Sequence, residues 1–273
     1  MQLIIEPGRT EKNYWKDLWR YRELFYILAW RDVKVRYKQT VIGVLWSVVR
    51  PLLTMLVFTI IFSKIAKLPT EGTTPYAILV YTAMLPWQFF STALTESSNS
   101  LVNNNTLISK VYFPRLIIPA SAVIASFVDF LISFVILFGL MFYYHYMPPV
   151  QILLLPIFLI FVFLTSFSLG LYLTAVNVKY RDFRYIIPFI VQFGLYVSPV
   201  GFSSNVIPEK WRLLYDLNPM VGVIDGFRWC IAGDTFTKKT MFSICISLII
   251  TVLMLAFGIY YFRKTEKTFA DII

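Results

Sequence analysis

The sequence predicts an all-α membrane protein of six transmembrane helices, with both termini on the cytoplasmic side. Three observations carry that expectation. Hydrophobic residues make up 58% of the 273 and charged residues only 15%, whereas soluble domains carry about 25% charged residues. The apolar residues gather into six runs of roughly bilayer length. Lys and Arg fall unevenly between alternate loops. Mean hydropathy is +0.68, and so little polar surface cannot cover a water-facing exterior.

A bilayer core of about 30 Å takes roughly 20 apolar residues per helix. The runs that qualify are 41–63, 76–95, 120–144, 152–176, 185–201 and 241–262, the fifth being short and containing Pro188 and Pro199. Ahead of them, Trp15, Leu18, Trp19, Phe25, Tyr26 and Ala29 recur near helical spacing among Lys16, Arg20, Glu23 and Arg31. That pattern predicts an amphipathic helix in the cytoplasmic interface, aromatic face down, acting first as an anchor. Between runs five and six, 202–240 is too long for a turn and too polar for a span. Pro208, Pro219, Gly222 and Gly226 cut it into short apolar pieces, too short to cross a bilayer but able to dip in and return as re-entrant helices. No linker or repeat separates a second domain. The expected organisation is one transmembrane unit over 1–273, with an interface segment 1–40, a helical region 41–262 and a tail 263–273. The opening stretch, MQLIIEPGRTEKNYWKDLWRYRELF, has mixed charge and no compact apolar core, so insertion by the first transmembrane helix is expected.

Orientation follows from the positive charges. Seventeen Lys and Arg lie before run one, between runs two and three, between four and five, and in the tail, against seven in the opposite loops. The net charge of +10 is then a topology signal plus attraction to anionic lipid, not a sign of nucleic-acid binding.

Catalytic motifs are missing. The sequence contains no GxxxxGK[ST] phosphate loop, no GxSxG, no HExxH and no GxGxxG. Cys230 and Cys245 have no metal-ligand spacing and are expected to be buried spectators, and the single His145 excludes a multi-histidine centre. Two charges lie at membrane depth, Arg50 and Asp129. Such charges line a pathway or pair with one another; Arg50 contacts an anionic group such as a phosphate, forms a structural pair with Asp129, or snorkels to the interface. Aromatic residues fall on helix faces. Phe189, Phe193 and Tyr196 follow i, i+4, i+7 with Gln192 beside them, and Phe127, Phe130, Phe134 and Phe138 form a similar stripe. Trp87, Phe89 and Phe90 cluster in run two, and Tyr37 and Trp46 bracket the start of run one. Aromatic faces stack on sugars without reading their order, although packing is the commoner use of such stripes. The candidate substrate path is therefore Tyr37, Trp46, Arg50, Trp87, Phe89, Phe90, Phe189, Gln192, Phe193 and Tyr196. Between runs two and three, ESSNSLVNNNTLISKVYFPRLIIP reads as a short helix, either a connector or a knob for a partner protein.

Three long runs carry a family resemblance: LAWRDVKVRYKQTVIGVLWSVVRPLLTMLVFTIIF, LPWQFFSTALTESSNSLVNNNTLISKVYFPRLIIP and IPEKWRLLYDLNPMVGVIDGFR. They resemble, in order and over nearly the whole chain, permease subunits of type-2 ABC exporters. The branch is the one that exports O-antigen, capsule or teichoic-acid polymers. The resemblance implies a homodimer in the inner membrane bound to two separate ATPase subunits, which would hold ATP and Mg, with a lipid-linked glycan as cargo and no cofactor in this chain. It implies an ATPase-coupling helix carrying Asn103, Asn104, Asn105, Leu107, Lys110, Tyr112 and Arg115, and an exit-side re-entrant pair over 208–228. Arg50 departs from the family, whose members more often carry an uncharged polar residue before the proline. The rival expectations are a small-molecule exporter of the same superfamily and a membrane-embedded transferase. A transferase would need an acidic pair or a placed histidine.

Overall fold

The computed structural model describes residues 14–38, 41–65, 74–233 and 236–269, and among them every regular element is helical. In chain order these are α1 (Tyr14–Arg20), α2 (Arg22–Tyr37), α3 (Val41–Phe58), α4 (Tyr76–Asn103), α5 (Asn105–Lys110) and α6 (Ile117–Tyr143). There follow α7 (Leu155–Lys179), α8 (Phe183–Val197), α9 (Glu209–Asp216), α10 (Pro219–Ala232) and α11 (Lys238–Glu266). A π-helical stretch, Thr59–Ile65, extends α3, and a 3-10 turn, Val150–Leu154, leads into α7.

Four of these are long and apolar enough to cross a membrane: α4, α6, α7 with its leading turn, and α11, of 28, 27, 30 and 29 residues. Pro51–Phe62 and α8 are apolar but shorter. At 1.5 Å per residue the 15 residues of α8 reach about 22 Å, well under a bilayer core. Its end is set locally. Ser198 precedes Pro199 and adopts ψ 152, the extended conformation that a following proline demands. The fifth run therefore stops at Val197 rather than reaching 201.

The helices are joined by small and hydroxylic residues, as expected where lipid is as apolar as leucine and close approach must supply the attraction. The Thr174 hydroxyl of α7 donates to the Ser97 carbonyl of α4 at 2.8 Å. The Asn177 amide donates to the Ser98 carbonyl at 2.8 Å. Thr165 and Thr251 bridge α7 and α11 at 3.0 Å. A Cβ on Gly258 of α11 would lie 2.6 Å from the Ser168 carbonyl oxygen, so only glycine permits that crossing. The centre is α4, packed by α6, α7 and α10. Its apolar window is 83% buried inside the protomer, against 22% for α11.

The expected N-terminal amphipathic helix is two helices, broken at Tyr21. Trp15, Trp19 and Tyr26 are exposed, while Ala29 joins Leu28 in packing inward. The short pieces after α8 become α9 and α10, of 8 and 14 residues. The ends of α10 are specified by sequence: the Asn218 side chain accepts the Met220 N–H at 3.0 Å, Pro219 takes the first turn, and Gly233 closes the helix at φ 70. Cys230 is buried, but Cys245 is exposed on α11, against the expectation of two buried thiols. Helix α11 is apolar along most of its length, and Cys245 falls on a face left uncovered among the described residues.

Candidate functional site

Chemistry-bearing side chains gather in several places among the described residues. The first is the short helix α5 between the long helices α4 and α6. Ile108 points inward and is buried, Asn103, Asn105 and Lys110 face outward, and Asn104 and Leu107 are half-buried. The Arg31 guanidinium of α2 donates to Asn104 Oδ1 at 3.0 Å. Tyr112 is 45% exposed, whereas Arg115 turns back toward the end of α11. The helix thus presents a polar ridge on an apolar footing.

The second is around Asp129. Arg36 donates to one carboxylate oxygen and the Tyr37 hydroxyl to the other, and Arg36 also reaches Glu96 at 3.2 Å. Burial, and then the hydrogen bond to Asp129, push the Tyr37 hydroxyl above its ordinary pKa, so it stays a donor. Among the described residues the ion pair of Asp129 runs to Arg36, a partner not expected from sequence. The reason is that α2 packs lengthwise along α6 and delivers its last turn to the depth of Asp129. Trp46 and Arg50 lie on α3, but their side chains fall outside the described residues.

The third is the face of α8. Phe189, Phe193 and Tyr196 are 68%, 60% and 66% exposed, with Gln192 exposed among them. The Phe189 and Phe193 rings stack at 6.2 Å. The other aromatic candidates sit elsewhere: Trp87, Phe89 and Phe90 are buried within the protomer. Trp87 lies behind α8, where a Cβ on Gly194 would come within 2.7 Å of its ring. The structure brings together the four α8 candidates and separates them from the α4 three.

This chain matches the model of the ABC-2 type transporter membrane family over residues 23–232. It belongs to the ABC-2 type transporter family. It is 27% identical over 252 residues to an O-antigen export system permease protein of Klebsiella pneumoniae, covering 92% of this chain and 95% of that one. A protein of the same description from Myxococcus xanthus is 26% identical over 215 residues, covering 78% and 82%. A putative transport permease of Cyanophora paradoxa is 22% identical over 264 residues, covering 90% of each chain. The protein is a transmembrane ABC transporter permease.

The fourth place in the permease is one that sequence reasoning misses. At the Lys238 end of α11, Arg212, Asp216, Asp225 and Arg228 form a buried polar cluster with Ser204 and Ser243. Ser243 donates to Asp216 at 2.8 Å, Ser204 donates to Asp225 at 2.7 Å, and Arg212 lies 3.6 Å from Asp216. Arg228 donates to the Phe202 and Val200 carbonyls at 2.7 and 3.2 Å, and Arg212 donates to the Ser204 carbonyl at 2.7 Å. The two arginines clasp the chain between α8 and α9 and satisfy carbonyls that no helix could. A signal is present in Arg212 and Asp216 at i, i+4 and in Asp225 and Arg228 at i, i+3, spacings that place each pair on one helix face. On the rim, the hydrogen bond from Lys239, 2.6 Å away, holds Glu209 below its usual carboxylate range. Among the described residues no group of three or more His, Cys, Asp or Glu could hold a metal ion.

Proposed function

We propose that this permease moves a lipid-linked polysaccharide, O-antigen in the first instance, out of the cell across the inner membrane. The observation that carries this is the end-to-end likeness to O-antigen export permeases, which extends over 92% of the chain. In this reading two copies form a homodimer with two ATPase subunits, which bind ATP and Mg and hydrolyse the nucleotide. This chain is a single permease domain that needs no cofactor and carries out no covalent chemistry. Helices α3, α4, α6, α7, α8 and α11 are its six membrane passes. The excess of positive charge at the α5 end favours placing that end and both termini in the cytoplasm, with α9 and α10 as a re-entrant pair on the far side.

The ridge of Asn103, Asn104, Asn105, Leu107 and Lys110, with Tyr112 and Arg115 behind it, is the surface offered to the ATPase. The exposed face of Phe189, Gln192, Phe193 and Tyr196 is the part of the path best suited to a sliding glycan. Its rings stack on sugars, and the single amide meets their hydroxyls. Trp87, Phe89 and Phe90 reach that path only if α4 parts from its neighbours, and Tyr37, Trp46 and Arg50 belong to its entry. The test is ATP hydrolysis by the chain purified with candidate ATPase subunits, with and without lipid-linked polysaccharide. Hydrolysis that responds to the glycan, and loses that response when Asn103, Asn105 and Lys110 are changed to Ala, supports the reading. A complex that forms but responds only to small amphiphiles moves the assignment to a small-molecule exporter, and failure to bind any ATPase overturns the transporter assembly proposed here.

A further inference from the structure

At the Glu266 end of the bundle three segments far apart in sequence meet on one carboxylate. Glu266 Oε1 accepts the backbone N–H of Arg115 at 2.8 Å and the Tyr14 hydroxyl at 3.3 Å. In return the Arg115 guanidinium donates to the backbone carbonyl of Glu266. Each half of this exchange answers the need of a helix end. Arg115 stands just before α6, where unpaired N–H groups and the positive end of the helix dipole favour a carboxylate. Glu266 closes α11, where unpaired carbonyls and the negative end favour a guanidinium. The Arg263 guanidinium covers the Tyr14 ring at 4.3 Å. Beneath the latch Phe113, Leu116, Phe262 and Phe269 form an apolar layer that also takes in Ile108 of α5.

The latch is placed to carry motion. Between α5 and Arg115 the chain has little slack, because Val111 is extended and Pro114 fixes its own φ. Beyond the latch, α11 runs for 29 residues, about 43 Å. At its far end its Ser243 holds Asp216 of the α9–α10 cluster. We propose that Glu266 is a positioning residue that makes α11 move with α5. A displacement imposed on α5 passes through Arg115 and Glu266 into α11, and so to α9 and α10 at the opposite end of the bundle. This rests on the reading of α5 as the surface that an ATPase subunit pushes. Without the carboxylate, α5 stays joined to α4 and α6 by the chain, and its link to α11 falls back on the apolar layer and the Arg115 hydrogen bond to the Glu266 carbonyl.

The experiment uses the full chain assembled with its ATPase subunits in vesicles and measures glycan exported per ATP hydrolysed. The variants are Glu266→Ala, Glu266→Gln and, as a control, the exposed Lys264→Ala. Loss of a hydrogen bond to a charged group is worth about tenfold in an equilibrium, so Glu266→Ala is expected to lower export per ATP by about that factor while ATP is still hydrolysed. Glu266→Gln keeps an acceptor for Arg115 and is expected to fall between Ala and wild type, and Lys264→Ala to match wild type. A merely structural glutamate would lower the amount of complex but not the ratio. If Glu266→Ala does not assemble, Glu266→Gln decides alone: a reduced ratio supports the latch and a wild-type ratio overturns it. Failure of both to assemble also overturns it, by making Glu266 a folding residue. Wild type that neither hydrolyses ATP nor exports glycan is a failure of the functional assignment, distinguishable from a failure of the latch because it precedes any change at Glu266.

Discussion

Two aromatic stripes of this permease have nearly the same spacing and different surroundings at their centres. On α6, Phe130 is buried and stacks or meets edge to face with Phe127, Phe89, Phe134 and Phe227 at ring separations of 5.6 to 6.3 Å. On α8, Phe189, Phe193 and Tyr196 recur just as regularly and remain more than half exposed. The difference lies in what surrounds them. Helices α4 and α7 meet through Ser97, Gly170, Thr174 and Asn177, which bring the backbones close enough to lock α6 and its rings against them. Helix α8 meets only α4 and α7 among its stronger neighbours and offers one glycine, Gly194, for close approach. The α6 stripe is packing at Phe130 and opens outward at Phe138, 48% exposed, whereas the α8 stripe is uncovered within the protomer along its length.

The largest effect that this contrast predicts is on the buried stripe. Phe130→Ala removes a ring held on all sides and leaves a cavity that rigid neighbours cannot fill. A loss of about 3–5 kcal/mol of folding stability is expected, read as a large drop in the unfolding midpoint in mixed micelles. A variant as stable as wild type would mean that the α6 rings do not form a common core. A smaller effect is expected where the two regions touch. Gly194→Ala drives a methyl toward Trp87, 2.7 Å away, and either α8 or the indole must give. Because the far side of α8 is open, the helix can yield, and the cost should be about 1–3 kcal/mol, with a change in Trp87 fluorescence as a direct readout.

Much of this architecture is legible in the sequence. Each of the six apolar runs is a helix, 152–176 emerging as α7 over Leu155–Lys179 and 241–262 as α11 over Lys238–Glu266, because length and apolarity are local properties. The break that shortens the fifth run is written in Ser198 and Pro199. Lateral position is not legible. In a soluble protein an exposed Phe193 would stand out against water, but beside lipid an apolar side chain is equally at home facing in or out. Hydropathy therefore does not say which rings of α6 or α8 are covered by protein. The density of Ser, Thr and Gly on the neighbouring helices does. The Arg36–Asp129 pair is hidden for a related reason: the pattern of α2 is that of a flat anchor, and nothing local says that its last turn lies along α6. The Arg115–Glu266 latch joins residues 151 apart in sequence, and no local pattern points from one to the other.

The smallest stability effect is expected on the exposed stripe, and it gives the sharpest test of the contrast. Phe193→Ala removes a ring of the same size as Phe130, from a helix whose outer face is uncovered. With 60% of Phe193 already uncovered, few packing contacts are lost within the protomer, and the change should stay within about 0.5 kcal/mol. A loss comparable to that of Phe130→Ala in the isolated protomer would show that α8 is held by contacts of the buried kind. If the loss is small in the protomer but large in the assembled transporter, the ring is being covered by a second copy or by cargo. Adding glycan then separates the two: a partner copy protects Phe193 regardless of glycan, whereas cargo changes its accessibility to a membrane-soluble quencher only when present.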